Sequence, residues 1–579
     1  MEEKILMITA KDHSTGLLFD FWDHIGPKRR KLLDKSWSGV FREFLLHELP
    51  ISRIARHFTD YSGRPSKELY AMTGAMILQQ MHDLSDEEAQ RALAFNLDWH
   101  YALDITDDSD ASTYISERTL RNYRRIILEE NLAPVVFDAL TDRLLKKFGV
   151  DVSTQRLDST HIQSNMRKLG RVRLLTTTIR KFLRKLSRSH RDVLAVHVSK
   201  ELADRYLAAS SDSCFSRVKP SEVTRTLEKV GTDLHYLIEC FQSHDAIGNM
   251  PEYRALERVL GEQCTVTGSG VTVKPPKEVS PDSLQNPSDP DAGYDAHKGQ
   301  GYQAQIMETY QTGERDPEIP NLITVVEVEP AHKHDSPALL PALDAAARRD
   351  CPPEYLVCDT HYGSDSNLLK AAEKGVEVIA PVAGPAPERT ITLAHFSADP
   401  HTGHILCCPE GHAPQSMRTT KQNRLVAAFT HKTCRTCPRQ KDCPVHMEKK
   451  AAYLRYTLPA LRSAYRRVWE TTPEFREAYR WRAGIEGTNS QFKSQLGTAR
   501  LRVRGLESVR LAVTLKALGL NIFRCARALC ARMRSFFCSS TRIRRVYTSP
   551  DMPGMDFSRY IHTLLSFFTT RASKIQLAA

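Results

Sequence analysis

Two apolar, strand-like runs in this chain each end on a carboxylate, RLDSTHI at Asp158 and YLVCD at Asp359, although they lie far apart along the sequence. A third carboxylate, Glu486, sits in the helix-like stretch AYRWRAGIEGTNSQFK. Each stands among small or polar residues, and carboxylate oxygens suit hard divalent cations such as Mg²⁺. A fold that gathered the three would hold a pair of cations able to activate water and stabilise the leaving oxygen of a phosphodiester. The pattern points to metal-dependent cutting of nucleic acid. Asp365, six residues after Asp359, is a rival for the second position. Asp359 is preferred because it ends the strand directly, where geometry is better fixed than in a loop. His161 and His361 lie near the acids and are read as exposed residues or as orienting groups.

The Glu486 stretch carries more than its acid. Tyr479, Arg482, Glu486 and Lys493 are spaced by three, four and seven residues, which at about 100° per residue gathers them within roughly 60° of one helix face. Arg offers phosphate a planar fork, Lys a point charge, and Tyr a hydroxyl and a ring. A solvated amphipathic helix would show a similar polar stripe.

Tyr-x2-Arg-x3-Glu-x6-Lys resembles the signature of bacterial insertion-sequence DDE transposases, and Asp158 in DST and Asp359 in DTHYGSDSN resemble that family's two aspartates. The run from about Phe41 to Arg125 resembles the helical amino-terminal domain of such proteins. The group most like this chain carries a cysteine-rich insertion before the final glutamate. The resemblance implies an RNase-H-like core acting on transposon-end and target double-stranded DNA. Asp158, Asp359 and Glu486 would hold Mg²⁺ (or Mn²⁺), and Tyr479, Arg482 and Lys493 would grip DNA near the scissile phosphate. Pairing two ends implies a homodimer or a higher homo-oligomer. The alternatives from other classes are a zinc-dependent DNA-binding regulator without catalysis and an inactive transposase derivative.

Charge agrees with a polyanionic partner: 81 basic against 69 acidic residues leave a formal +12, which favours fast, salt-sensitive association. No apolar run approaches the roughly 18 residues that span a bilayer, and MEEKILMITAKDHS lacks a signal pattern. The expectation is a cytoplasmic, nucleoid-associated protein with no membrane partner. Of the 13 cysteines, Cys408 in CCPEGH and Cys434, Cys437 and Cys443 in CRTCPRQKDCP stand apart, because thiolates at x2 spacing grip Zn²⁺ tetrahedrally. They are the candidate ligands of a structural zinc site, with Cys407 and His412 as alternatives.

The expected architecture is an α/β, RNase-H-like core with a helical amino-terminal domain, an inserted helical domain and a small zinc-ribbon-like insertion. Residues 1–150 form the helical domain. Ser85 and Glu88 make a capping box there, and Ser116 caps a helix whose Arg118 and Arg121, with Arg124 and Arg125, suit a DNA groove. Core strands fall in 151–165 and 290–400, the inserted helices in 166–265, and a loop in 266–290. Ser336 is read as the cap of the helix before YLVCD. The cysteine-rich insertion takes 401–450, core helices with Glu486 take 451–530, and a basic tail takes 531–579. Arg500, Arg502 and Arg504 alternate at period two, which puts them on one side of an extended segment and along a phosphate backbone. Arg524, Arg527, Arg532 and Arg534 follow on a basic helix, and Arg542, Arg544 and Arg545 come shortly after. A membrane-surface helix would show the same mixture of bases and apolar residues.

Overall fold

A computed structural model of the chain describes residues 8–12, 20–59, 65–207, 218–268, 270–385 and 388–547. Six strands build its central sheet, five of them β1 Thr154–Gln163, β2 Gly299–Thr309, β3 Ile323–Pro330, β4 Tyr355–Cys358 and β5 Glu377–Ile379. β2 lies between β1 and β3 and is antiparallel to both, while β4 runs parallel to β1 and β5 parallel to β4. A three-residue strand, Gly293–Asp295, folds back on the start of β2. Parallel neighbours need crossovers, and helices Leu339–Ala347 and Asp365–Glu373 supply them before β4 and β5. Almost every residue of β2 is buried, as expected of a strand covered on both faces.

One continuous apolar core joins this sheet to the amino-terminal helices and to the long helix Leu506–Tyr547. That helix packs against Leu69–Met81, Leu132–Phe148 and β3. The described residues among the first 150 are therefore largely helical, and they share a core with the sheet. The same helix runs through the boundary expected at residue 531. Residues from 548 onward lie outside the described residues, as do the side chains from 536, where Arg542, Arg544 and Arg545 fall.

The Ser85 capping box is formed, and the Ser116 hydroxyl accepts from the Thr119 N–H. Ser336 does not cap its helix. It belongs to a short 3-10 turn, Ser336–Ala338, and it accepts hydrogen bonds from the Asn367 amide.

Between β1 and β2 the chain leaves the sheet for a helical domain built on Arg171–Ser189, Val223–Phe241 and Pro251–Gln263. Leu175, Ile179, Phe182, Leu183 and Leu186 recur on one face of the first helix and are buried in a core of this domain's own. The segment expected as a loop from 266 opens with a hairpin, Cys264–Thr267 against Gly270–Val273. A third core lies under a four-stranded antiparallel sheet of Ser416–Thr419, Leu425–Phe429, His446–Met447 and Ala452–Tyr456. The cysteine-rich module thus extends past residue 450 to Tyr456.

Candidate active site and cysteine cleft

Parallel pairing of β1 with β4 sets Leu157 opposite Cys358. The next residue along each segment is an aspartate, Asp158 within β1 and Asp359 just past the end of β4, so the two follow neighbouring strands whose spacing is roughly 4.8 Å. Glu486 arrives from helix Gly484–Gln495, and Arg482 joins the acids: its Nη1 donates to Glu486 Oε1 at 2.7 Å and its Nη2 to Asp158 Oδ2 at 3.3 Å. All three carboxylates feed the guanidinium. Burial opposes its charge, but Asp158, Tyr479, Asp359 and Glu486 outweigh that and raise its pKa. Asp158 is pushed up to about 6, chiefly by burial, with Asp359 and Asp335 adding and Arg482 and the Ser159 N–H subtracting. Glu486 is the exposed member.

Asp365, the rival acid, is held elsewhere: Arg462 grips both its oxygens at 2.8 and 2.7 Å. His361 is exposed, donates its backbone N–H to Asp359 Oδ1 at 2.8 Å and packs edge-on to His334. The His161 ring has no hydrogen-bond partner, and burial first, then Lys298 and Lys493, pull it down to about 4, so it stays neutral near pH 7.

The stretch from Tyr479 to Lys493 is not the single straight helix its spacing suggests. It has three pieces, ending one helix at Tyr479, tightening to a 3-10 turn over Arg480–Ala483 and restarting at Gly484. The cause is Arg156, whose Nη1 donates to the Trp481 carbonyl at 2.8 Å. The guanidinium lies against the backbone at Gly484, where a Cβ would meet Nη1 at 2.0 Å. Tyr479 stacks on Phe475 and is half-buried, with burial the main cause of its raised pKa. Lys493 is exposed.

Several residues at this site were not anticipated. Asn489 donates to Asp158 Oδ2 at 3.2 Å. It stands three residues after Glu486 and seven after Arg482, a spacing that could have marked it. Beneath the helix lies a buried ion network. Glu308, fully buried on β2, accepts from Arg156 Nη2 at 2.6 Å, Arg524 Nη1 at 2.8 Å and Thr488 Oγ1 at 2.7 Å. Burial pushes the Glu308 carboxyl up, but Arg524 and Arg156 outweigh it and hold it below its ordinary value.

Other arginines divide between internal and outward roles. Arg524 belongs to that network, and Arg532 donates to the Glu318 and Phe148 carbonyls, so neither is an outward DNA contact. Arg124 pairs with Asp86, whereas Arg118, Arg121 and Arg125 are exposed bases of that helix, Arg121 lying 3.7 Å from Glu117 and Arg125 2.6 Å from Glu129. Arg500, Arg502 and Arg504 are exposed but do not share a side. Arg500 and Arg504 reach Asn165 and Met166, whereas Arg502 turns to the Asp83 carbonyl, because only Arg500 makes a bridge to β1 and no strand continues the alternation.

In the cysteine-rich module, Cys408, Cys434, Cys437 and Cys443 line one cleft, together with His412. Cys407 is not part of that lining. Burial and then the three other thiols push Cys434 up to about 11. Among the described residues, no three His, Cys, Asp or Glu side chains stand in the geometry of a formed metal site.

Residues 407–526 match the family model described as Transposase DDE domain, and residues 32–125 match Transposase domain (DUF772). The two matches support a DDE transposase. The first spans the cysteine cleft and the Glu486 helix, and the second the amino-terminal helices. No curated protein matches the chain. A solved structure of a piggyBac transposase synaptic complex with hairpin DNA is similar at 8% identity over 93% of this chain and 84% of that one, with a TM-score of 0.27. A likeness that low carries no argument. Among the described residues, no helix is long and apolar enough to cross a membrane.

Proposed function

We propose that the chain is an insertion-sequence DDE transposase that cuts the phosphodiester at transposon ends and joins the freed 3′-hydroxyl to target DNA. The observation that carries the reading is the register that sets Asp158 beside Asp359, with Arg482 tying Asp158 to Glu486. The strand order β3-β2-β1-β4-β5, first strands antiparallel and the rest parallel, supports an RNase-H-like core.

The donor set is of the kind a hard divalent cation takes, being three carboxylates of which Asp158 is raised chiefly by burial and then by Asp359 and Asp335, against Arg482 and the Ser159 N–H. Asp158, Asp359 and Glu486 would hold Mg²⁺ or Mn²⁺, which when bound supplies water activation and charge neutralisation at the leaving oxygen. The protein's own groups do the rest. Arg482 holds the acids together before the cation arrives, and its five donors then suit a phosphate oxygen. Asn489 fixes the Asp158 carboxylate. Tyr479, which senses the charges of Arg482, Asp359 and Asp158, and the exposed Lys493 would hold the DNA backbone. Four thiols around one cleft likewise fit Zn²⁺, since a cation would offset the burial and then the thiol repulsion that keep Cys434 protonated. Cys408, Cys434, Cys437 and Cys443 would form a zinc-ribbon-like closed site.

The test is strand cleavage of flanking DNA. Asp158→Asn, Asp359→Asn and Glu486→Gln should each lower cleavage by a thousandfold or more, roughly 4 kcal/mol of barrier, while end binding stays within a few-fold of wild type. Cleavage retained by all three variants overturns the assignment.

A further inference from the structure

We infer that the inserted helical domain carries a second duplex-DNA contact, a basic stripe on helix Arg171–Ser189 that continues the path leading away from the acidic site. The inference rests on the DNA-processing reading above and assigns a surface that neither the acids nor the Arg482 stretch includes.

The helix holds seven bases and no acid. Lys181, Arg184, Lys185 and Arg188 follow the spacing of zero, three, four and seven, which gathers them within about 100° of arc. Phe182, Leu183 and Leu186 bury the opposite side. Arg184, Lys185 and Arg188 are exposed, and among the described residues their side chains make no ion pair or hydrogen bond. A stripe of like charges on one helix is self-repelling, and this one meets further charge. Lys181 donates to the Pro287 carbonyl at 2.6 Å and is held below its ordinary pKa first by burial, then by Arg504, with Glu252 the acid that opposes them.

Arg504 connects the stripe to the site. Its guanidinium reaches Met166, Arg500 reaches Asn165, and the Gln163 N–H donates to Ala499, so the segment lies along the end of β1. Gln163 is five residues beyond Asp158, about 17 Å along a strand. The four bases cover a further 10 Å or so of helix. At 3.4 Å per base pair, the stripe meets a duplex roughly 5 to 8 base pairs from the phosphate held at the acids. Clustered cations, three of them without an ion pair among the described residues, that continue a track of arginines fit a polyanion of regular charge spacing, which duplex DNA supplies.

The experiment measures binding of a 30-base-pair duplex of flanking DNA, without divalent metal, as a function of salt, for wild type and the triple variant R184Q/K185Q/R188Q. These side chains are exposed, so thermal unfolding of the variant should match wild type. Losing three phosphate contacts should reduce the slope of log K against log salt by about 2.7 and weaken binding tens-fold at 0.2 M salt. An unchanged slope overturns the inference, as does a variant whose loss is as large for anionic phospholipid vesicles as for duplex. If the slope falls as expected and wild type cuts no DNA when Mg²⁺ is added, the stripe stands and the transposase reading fails. A wild type that does not bind duplex overturns both.

Discussion

Glu308 shows how much of the site depends on a residue that faces no substrate. Its carboxylate is fully buried, yet it serves Arg156 from β1, Thr488 from the Glu486 helix and Arg524 from the long carboxy-terminal helix. Arg156 in turn holds the Trp481 carbonyl and so fixes the turn that delivers Arg482 and Glu486. Removing one partner of a buried pair leaves the others charged and uncompensated, which costs about 3–5 kcal/mol. Glu308→Gln should lose about that much in chemical denaturation. Thr488→Val, which deletes one buried hydrogen bond, should lose about 1–3 kcal/mol and reduce cleavage more than duplex binding. Individual residues at the site were unevenly legible. The two aspartates stood out because each interrupts a strand-like run, although Asp359 follows a strand end and Asp158 lies within β1, whereas Glu308, in the run GYQAQIMETY, has partners drawn from three distant segments. Local spacing carries no trace of such a long-range pairing.

At the scale of elements, periodicity located most strands and helices but misjudged their ends and junctions. The core strands were legible because alternation and apolar runs respond to burial. The 3-10 turn at Arg480–Ala483 was not, because it is imposed by a guanidinium from β1 on a sequence that reads as continuous helix. The helix Leu69–Met81 and the long carboxy-terminal helix meet at a junction with its own chemistry. His82, just past the first helix, sits among Trp37, Trp99 and Phe523, and burial pulls its pKa down to about 4. The folded state therefore resists the proton that the unfolded chain accepts near pH 6.5. Stability from this residue is complete above about pH 6.5 and falls as pH drops toward 4, by up to about 3 kcal/mol. Acid titration of the denaturation midpoint should show this loss in wild type, and His82→Leu should remove that share of the dependence. A wild-type curve flat between pH 6.5 and 4 would contradict the aromatic enclosure.

Among the described residues, three apolar cores and two smaller clusters hold the chain together. The largest unites amino-terminal helices, sheet and carboxy-terminal helix, and a buried lysine pins its parts: Lys516 Nζ donates to Asp83 Oδ1 at 2.8 Å and to the Leu496 carbonyl at 2.6 Å, joining the end of the Glu486 helix to the amino-terminal helices. The inserted helices and the cysteine-rich sheet keep cores of their own. Sequence composition marks such insertions readily, but not whether flanking segments share a core, since apolar residues look alike whichever neighbour they meet. Separate cores imply separable stabilities. The cysteine module has only a small apolar cluster, and small domains lean on a metal when their core is insufficient. Purified protein should therefore contain about one zinc per chain. Chelation, or Cys434→Ser, should raise amide exchange across Ser416–Tyr456 while leaving β1, β2 and the Glu486 helix protected. Loss of protection throughout the chain would mean that the module is not an autonomous unit. Zinc-free protein with full protection over those strands would mean that its apolar cluster holds them without a metal.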